Sequence, residues 1–304
     1  MRLKLGRPDI GQYADRFDVP PADDHRPSVT FLGVATLLID DGESAVLTDG
    51  FFTRPGLRQV LLGRLAPDLT PIDECLTRAG TTKLDAVLPV HTHFDHALDS
   101  AVVAEVTGAT LVGGESAANI GRGHGLPAER IVVATPGKPR EYGAWTITMI
   151  ESEHCPPDRF PGTIDEPIVP PAKAKDYKCG EAWSILLRHR SGASLLVQGS
   201  AGFVPGALAD QRADVVYLGV GQLGVQPEDY LRDYWEHTVR AVGARRVVLI
   251  HWDDFFRPLD QPLRALPYVG DDLDVTMTVL GQLAAADGVP LHLPTVWERE
   301  NPWA

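Results

Sequence analysis

Apolar positions in the first part of the chain fall into short runs at 29–32, 35–39 and 45–48, rich in β-branched and aliphatic residues, and predict three strands. Asp40-Asp41-Gly42-Glu43 between the second and third is a turn of hairpin type, so the opening reads as an antiparallel meander. Thr70 as a cap, Pro71 at the first helical position and Asp73 and Glu74 in the first turn predict a helix to about Arg78, stopped by Gly80. An apolar strand over 86–90 leads to a helix over 97–106 that Gly108 ends. Strands at 110–112, 131–134 and 145–150 and a short helix over 115–120 follow. The pattern then returns: 182–187 and 193–197 flank Arg190-Ser191-Gly192 as a second hairpin, followed by strands at 215–218 and 247–250 around a helix over 227–242. A last helix covers 273–286, against the β-branched run 275–279. The two halves repeat as architecture and share no sequence identity; the class is α/β.

Two stretches break the pattern. Residues 1–27 are polar and carry Pro8, Pro20, Pro21 and Pro27, so they read as an arm over the surface, with 28–304 forming a single domain. Residues 156–179 are proline-rich, mix charges and include Phe160 and Tyr177. A long irregular segment inside a domain is usually functional, so this insertion is expected to wall or cover a substrate pocket. Arg159, Tyr177 and Lys178 are its candidate substrate contacts, against the simpler reading of a solvated insertion. Trp297, Pro302 and Trp303 are expected to dock the tail on the body.

Composition narrows the function. A net charge of −13 argues against nucleic acid or an anionic membrane, since both are bound through lysine and arginine. Neither a signal-like apolar stretch near residue 1 nor a membrane-length run is found, so the expectation is a cytoplasmic protein with a small-molecule substrate, self-association into a homo-oligomer being left open. Cys75, Cys155 and Cys179 are odd in number and lack zinc-finger spacing, so disulfides are not the framework.

The chemistry gathers where the strand over 86–90 ends. His91, His93, Asp95 and His96 crowd into six positions, and histidines two apart on an extended segment point the same way, able to grip one ion together. A solvated polar loop is the competing reading; four donors at this spacing weigh against it. His154 and His251 each follow a predicted strand as well, whereas His124 sits in a glycine-rich stretch where plain exposure is the better reading.

The HxHxDH pattern of His91, His93, Asp95 and His96 resembles the metal-binding signature of the metallo-β-lactamase-fold superfamily. His251-Trp252 and the run from Phe31 to Ile39 resemble its L-ascorbate 6-phosphate lactonase-like branch, although Val34 stands where a histidine is frequent. The resemblance covers roughly 28–255. It implies an αββα four-layer sandwich, a first metal site of His91, His93 and His154, and a second of Asp95, His96 and His251. Asp49, in Thr48-Asp49, would brace the metal loop from behind. Cys155 is a minor alternative ligand to His154. Relatives usually carry a bridging aspartate where this chain has Ser200, which implies a weaker second site or a water in its place, with Asp253 or Asp254 as compensating candidates. The missing carboxylate also argues against the iron dioxygenases and flavodiiron proteins of this fold.

Zn2+, as one or two ions, suits these donors; Mn2+ and Fe2+ remain open. A zinc site with an open position lowers the pKa of a bound water to about 7. The implied chemistry is direct attack by that hydroxide, with Asp95 as the catalytic group that orients it and carries a proton. A small ester or lactone is the expected substrate and a phosphodiester the runner-up; a non-catalytic metal-binding scaffold is the alternative of another class.

Overall fold

The period-two alternation of the early strands sorts their side chains between two layers. In the computed structural model, which describes residues 4–23 and 27–304, Leu37 and Ile39 of one strand join a central core while Leu38 between them joins a second, outer one. Ala86 and Leu88 likewise face the centre and Val87 the outside. A sheet covered on both faces reads in sequence as continuous apolar runs.

That first sheet is built from β1 (Ser28–Phe31), β2 (Leu37–Asp40), β3 (Ala45–Thr48), β4 (Ala86–Leu88), β5 (Thr110–Gly113) and β6 (Ile131–Val133). The second contains β7 (Arg140–Tyr142), β8 (Trp145–Ser152), β9 (Ala182–His189), β10 (Ser194–Gln198), β11 (Val215–Gly219), β12 (Arg246–Ile250) and β13 (Leu291–His292). The seventh strand of the first sheet is β14 (Arg299–Glu300), giving the order β14-β1-β2-β3-β4-β5-β6 against β13-β12-β11-β10-β9-β8-β7. Each sheet passes from antiparallel hairpins to parallel strands, β3 to β6 in one and β10 to β13 in the other. The repeat read from the pattern is therefore a repeat of sheet topology.

Helices cover the outer faces. On the first sheet lie α1 (Leu57–Leu62), α2 (Leu69–Arg78), α3 (Phe94–Ala97), α4 (Ser100–Thr107) and α5 (Glu115–His124); on the second, α6 (Glu228–Trp235), continued by a π-turn to Arg240, and α7 (Leu273–Asp287). This is the αββα four-layer arrangement. Within α7 the β-branched run is overridden by burial of Met277, Leu280, Leu283 and Ala284 in the apolar cluster that the second sheet shares with its covering helices.

Local details differ from expectation for physical reasons. The cap of α2 is Asp68, whose side chain accepts the Thr70 N–H, rather than Thr70. The glycine-rich stretch around His124 is the end of α5, and its glycines permit close packing: a Cβ at Gly121 would lie 2.9 Å from Leu111 and one at Gly123 would overlap the Ile168 carbonyl. His124 lies 2.9 Å from the Glu105 carboxylate on α4. The tail docks as expected: β14 pairs with β1, and Trp303 Nε1 donates to the Ser194 carbonyl at 3.0 Å. The arm, of which residues 1–3 and 24–26 lie outside the described residues, is tied down by Lys4–Asp272 and Arg7–Asp254 pairs. Among the described residues no helix is long and apolar enough to cross a membrane.

Candidate metal centre

Strand β4 ends at Leu88, and the backbone from Val90 to His96 turns directly into α3. Short strands ending in donor-bearing loops at the carboxyl edge of a sheet are the usual place for a site in α/β folds. Here both sheets deliver: β4 brings His91 to His96, β8 brings His154 and β12 brings His251. The ligand atoms of His91, His93 and His154 all lie within 4.8 Å of one another, and so do those of Asp95, His96 and His251. The clusters adjoin, with the His91 and His96 ring centroids 4.0 Å apart.

Nitrogen faces nitrogen across both groups. His91 Nε2 is 3.2 Å from His93 Nδ1, and His96 Nε2 is 3.2 Å from His251 Nε2. Asp95 Oδ2 lies 3.7 Å from His96 Nε2 and 3.6 Å from His251 Nε2. Burial first, and neighbouring imidazoles next, push His91 and His96 well below their ordinary pKa, while burial takes His93 and His251 to about 4. Neutral imidazole is the ligand form. Burial also raises Asp95 to about 7, an expensive position for a carboxylate that a cation beside it would reverse. Nδ1 of His91 and of His251 are buried without a hydrogen-bond partner. Three imidazoles in one group, two imidazoles and a carboxylate in the other, are a donor set that fits divalent transition metals.

The second group is held from behind. Asp49 adopts φ +52°; its Oδ1 accepts the Val90 N–H at 2.8 Å and its Oδ2 accepts the His96 Nδ1 hydrogen at 2.7 Å. Nε2 of His96 is thus left as a lone pair directed at the cluster. His251 has φ +60°, its N–H donates to the Val34 carbonyl at 2.7 Å, and the Val34 N–H donates to Asp253 Oδ1 at 2.8 Å. Asp253 in turn pairs with Arg54 at 2.8 Å, both side chains fully buried. A Cβ on Gly33 would sit on the Arg54 guanidinium, and one on Gly221 would come within 2.8 Å of His251 Nδ1. Val34 therefore serves through its backbone, not as a ligand.

Four expectations need correction. Tyr177 contacts no substrate space: it is fully buried in the outer core, the segment being pinned by the Leu65–Ala172 bridge and the turn Ala174–Asp176. Lys178 lines an outer groove with Arg64, Asp165 and Asp176, where none of the cluster residues reaches. Asp253 and Asp254 do not replace the missing carboxylate, because Arg54 holds the first and Arg7 and Arg264 the second. Cys155 turns away from the cluster groups; its N–H donates to Ser200 Oγ at 3.0 Å, so Ser200 fastens the backbone next to His154. Arg159 is exposed. Sequence reasoning missed Arg54, Asp99 and Asp158. Asp99, which accepts the N–H groups of Phe52 and Thr53 at 2.7 Å, secures the loop that carries Arg54. A charged residue near the start of a mostly apolar helical run was its only signal.

The fold and the paired clusters define a class: a metal-binding αββα sandwich with its donors at the facing edges of two sheets. Residues 29–171 match the family model of the metallo-beta-lactamase superfamily. The chain is 25% identical over 240 residues, 75% of this chain and 83% of the other, to a "UPF0173 metal-dependent hydrolase" of Heliobacterium modesticaldum (strain ATCC 51547 / Ice1). Among solved structures it resembles Igni18, a metallo hydrolase of the archaeon Ignicoccus hospitalis KIN4/I, with 17% identity, a TM-score of 0.54 and coverage of 90% of this chain and 96% of that one. It also resembles CmlA, a diiron β-hydroxylase from Streptomyces venezuelae, with 13% identity, a TM-score of 0.55 and coverage of 91% and 54% respectively. At those identities the likeness is one of fold, and the two neighbours' different chemistries show that fold leaves the reaction open.

Proposed function

We propose that this chain is a metal-dependent hydrolase that cleaves a small ester or lactone, with Zn2+ held by His91, His93 and His154 and a weaker second ion by Asp95, His96 and His251. The observation that carries the reading is the convergence of six side chains from three separate strand ends, five of them buried and His154 half-buried, with imidazole nitrogens facing one another at 3.2 Å. Such an arrangement gains nothing for a core and suits a cation.

When bound, the metal supplies Lewis acidity and a water acidified to near neutrality. The chain's own residues do the rest. Asp49 holds the His96 ring through Nδ1, and the Val34 and Asp253 bonds hold the backbone that carries His251, so both donors are positioned before reaction. Asp95 Oδ2, close to both, is placed to take a proton from the attacking water and return it to the leaving oxygen. Phe160, edge-on to His93 at 6.1 Å, and Phe255, edge-on to His251 at 6.0 Å, are half-buried and put an aromatic wall on each side. Those walls and the net charge of −13 favour a small, largely uncharged substrate over a polyanion. The lactone preference also draws on the resemblance of the His251-Trp252 region to the L-ascorbate 6-phosphate lactonase-like branch.

The test is metal analysis of protein purified without chelator, then an ester, lactone and phosphodiester panel before and after metal removal. Ester or lactone turnover that disappears with the metal and returns with zinc is expected. Turnover that survives complete metal removal sinks the mechanism, a phosphodiester preference replaces the substrate class, and metal without turnover leaves a scaffold.

A further inference from the structure

His93 shows its two ring nitrogens to different neighbours. Nδ1 faces His91 inside the cluster at 3.2 Å. Nε2 points outward, 3.1 Å from Asp158 Oδ1 and 3.4 Å from the Phe160 carbonyl. Ionised carboxylate and carbonyl oxygens only accept, so Nε2 carries the ring hydrogen and Nδ1 keeps its lone pair for the cluster. Asp158 is itself fixed, since its Oδ1 also accepts the Phe160 N–H at 2.9 Å. The far end of the same segment closes on the same spot: the Cys179 N–H donates to the Phe160 carbonyl at 2.8 Å and the Thr92 N–H donates to the Cys179 carbonyl at 2.8 Å. The buried Cys179 thiol lies within 4.8 Å of both His93 and Asp158 ligand atoms. Both ends of the proline-rich segment thus meet at His93.

We propose that Asp158 is the positioning residue of His93: it holds the Nε2–H tautomer and the ring orientation, and so couples the 156–179 segment to metal occupancy of the first cluster. The inference rests on His93 being a metal ligand. Coupling of this kind is reciprocal, so metal binding tightens the segment as much as the segment tightens metal binding. A separate ion on His93, Asp158 and Cys179 is the competing use of these groups. It would require His93 Nε2 to give up its hydrogen while Nδ1 serves the first cluster, leaving a bridging imidazolate.

Zinc titration of the full chain against a competing chelator, combined with 15N imidazole spectra of the metal-free proteins, tests the proposal on wild type, Asp158→Ala and Asp158→Asn. Loss of an outer carboxylate partner typically weakens metal binding by about 10–100-fold. That loss is expected at the tightest site of Asp158→Ala, together with a mixed His93 tautomer. Asp158→Asn keeps an acceptor oxygen and is expected to recover most of the affinity and the single tautomer. Unchanged affinity in Asp158→Ala, or equal weakening in both variants with the tautomer unmoved, overturns the positioning role; loss of a distinct additional ion assigns the groups to the competing site. If wild type takes up no zinc, the hydrolase reading fails, while the tautomer spectra still decide whether Asp158 orients His93.

Discussion

The two clusters sit a few ångströms apart and are supported in opposite ways. Behind Asp95, His96 and His251 stands a wholly buried frame: Asp49, the Arg54–Asp253 pair and left-handed backbone at Val34, Asp49, Arg54 and His251. Behind His91, His93 and His154 stands a loop, with Asp158 about a quarter exposed and His154 half-buried at a strand end. The second cluster is the more rigid, yet it lacks a bridging carboxylate, since Ser200 is engaged with the backbone of Cys155. Rigidity and affinity are therefore separate properties here. On the proposed reading the frame preorganises the weaker site, while the three imidazoles make the stronger one, with Asp158 of the 156–179 segment against it.

The largest expected effect comes from breaking the frame. Asp253→Ala leaves the Arg54 guanidinium buried and unpaired, a change that typically costs about 3–5 kcal/mol, whereas Asp158→Ala on the loop should cost about 1 kcal/mol or less. Urea unfolding of the metal-free proteins measures both, and equal losses would erase the contrast. Next, His91→Ala should abolish the tighter ion and His251→Ala only the weaker one; equal loss of both ions from either change would contradict the partition. Ser200→Asp should tighten the second ion by about tenfold or more, well within what a new carboxylate supplies at an effective dielectric near 20. No change in occupancy would mean that position 200 does not face the ions.

The smallest effect is a pH slope. Burial raises Asp99 from its ordinary 3.8 to about 6, outweighing the hydrogen bonds from Thr53 and Phe52 that lower it. A carboxyl whose folded pKa is raised contributes its stability fully below its unfolded pKa and loses it as pH rises through the folded one. The metal-free protein should therefore lose stability between about pH 4 and 6 on account of this group. Asp99→Asn should flatten that part of the Tm profile, apart from a constant offset for the altered hydrogen bonds. A wild-type-like slope in the variant would remove Asp99 from the account.

The sequence legibility of these two regions differs for a physical reason. Strands, helices and the His91–His96 loop are local signals: period-two alternation, caps and donor spacing within six residues. The strand-end positions of His154 and His251 are also local, although their meeting is tertiary. What stayed hidden is contact made across long separations by residues of ordinary local character. Arg54 reads as a loop arginine until Gly33 makes room for it beside Asp253. Asp158 reads as one more polar residue in a proline-rich insertion. Tyr177 was misplaced because polar neighbours, Lys175, Asp176 and Lys178, mask a ring that a short turn directs into the outer core.

The most direct test of the central claim is the metal content of the purified chain, measured by elemental analysis for wild type and for His91→Ala. A stoichiometric divalent ion in wild type that is lost in His91→Ala is the predicted result. A folded wild-type chain that neither carries nor takes up zinc, manganese or iron would contradict it.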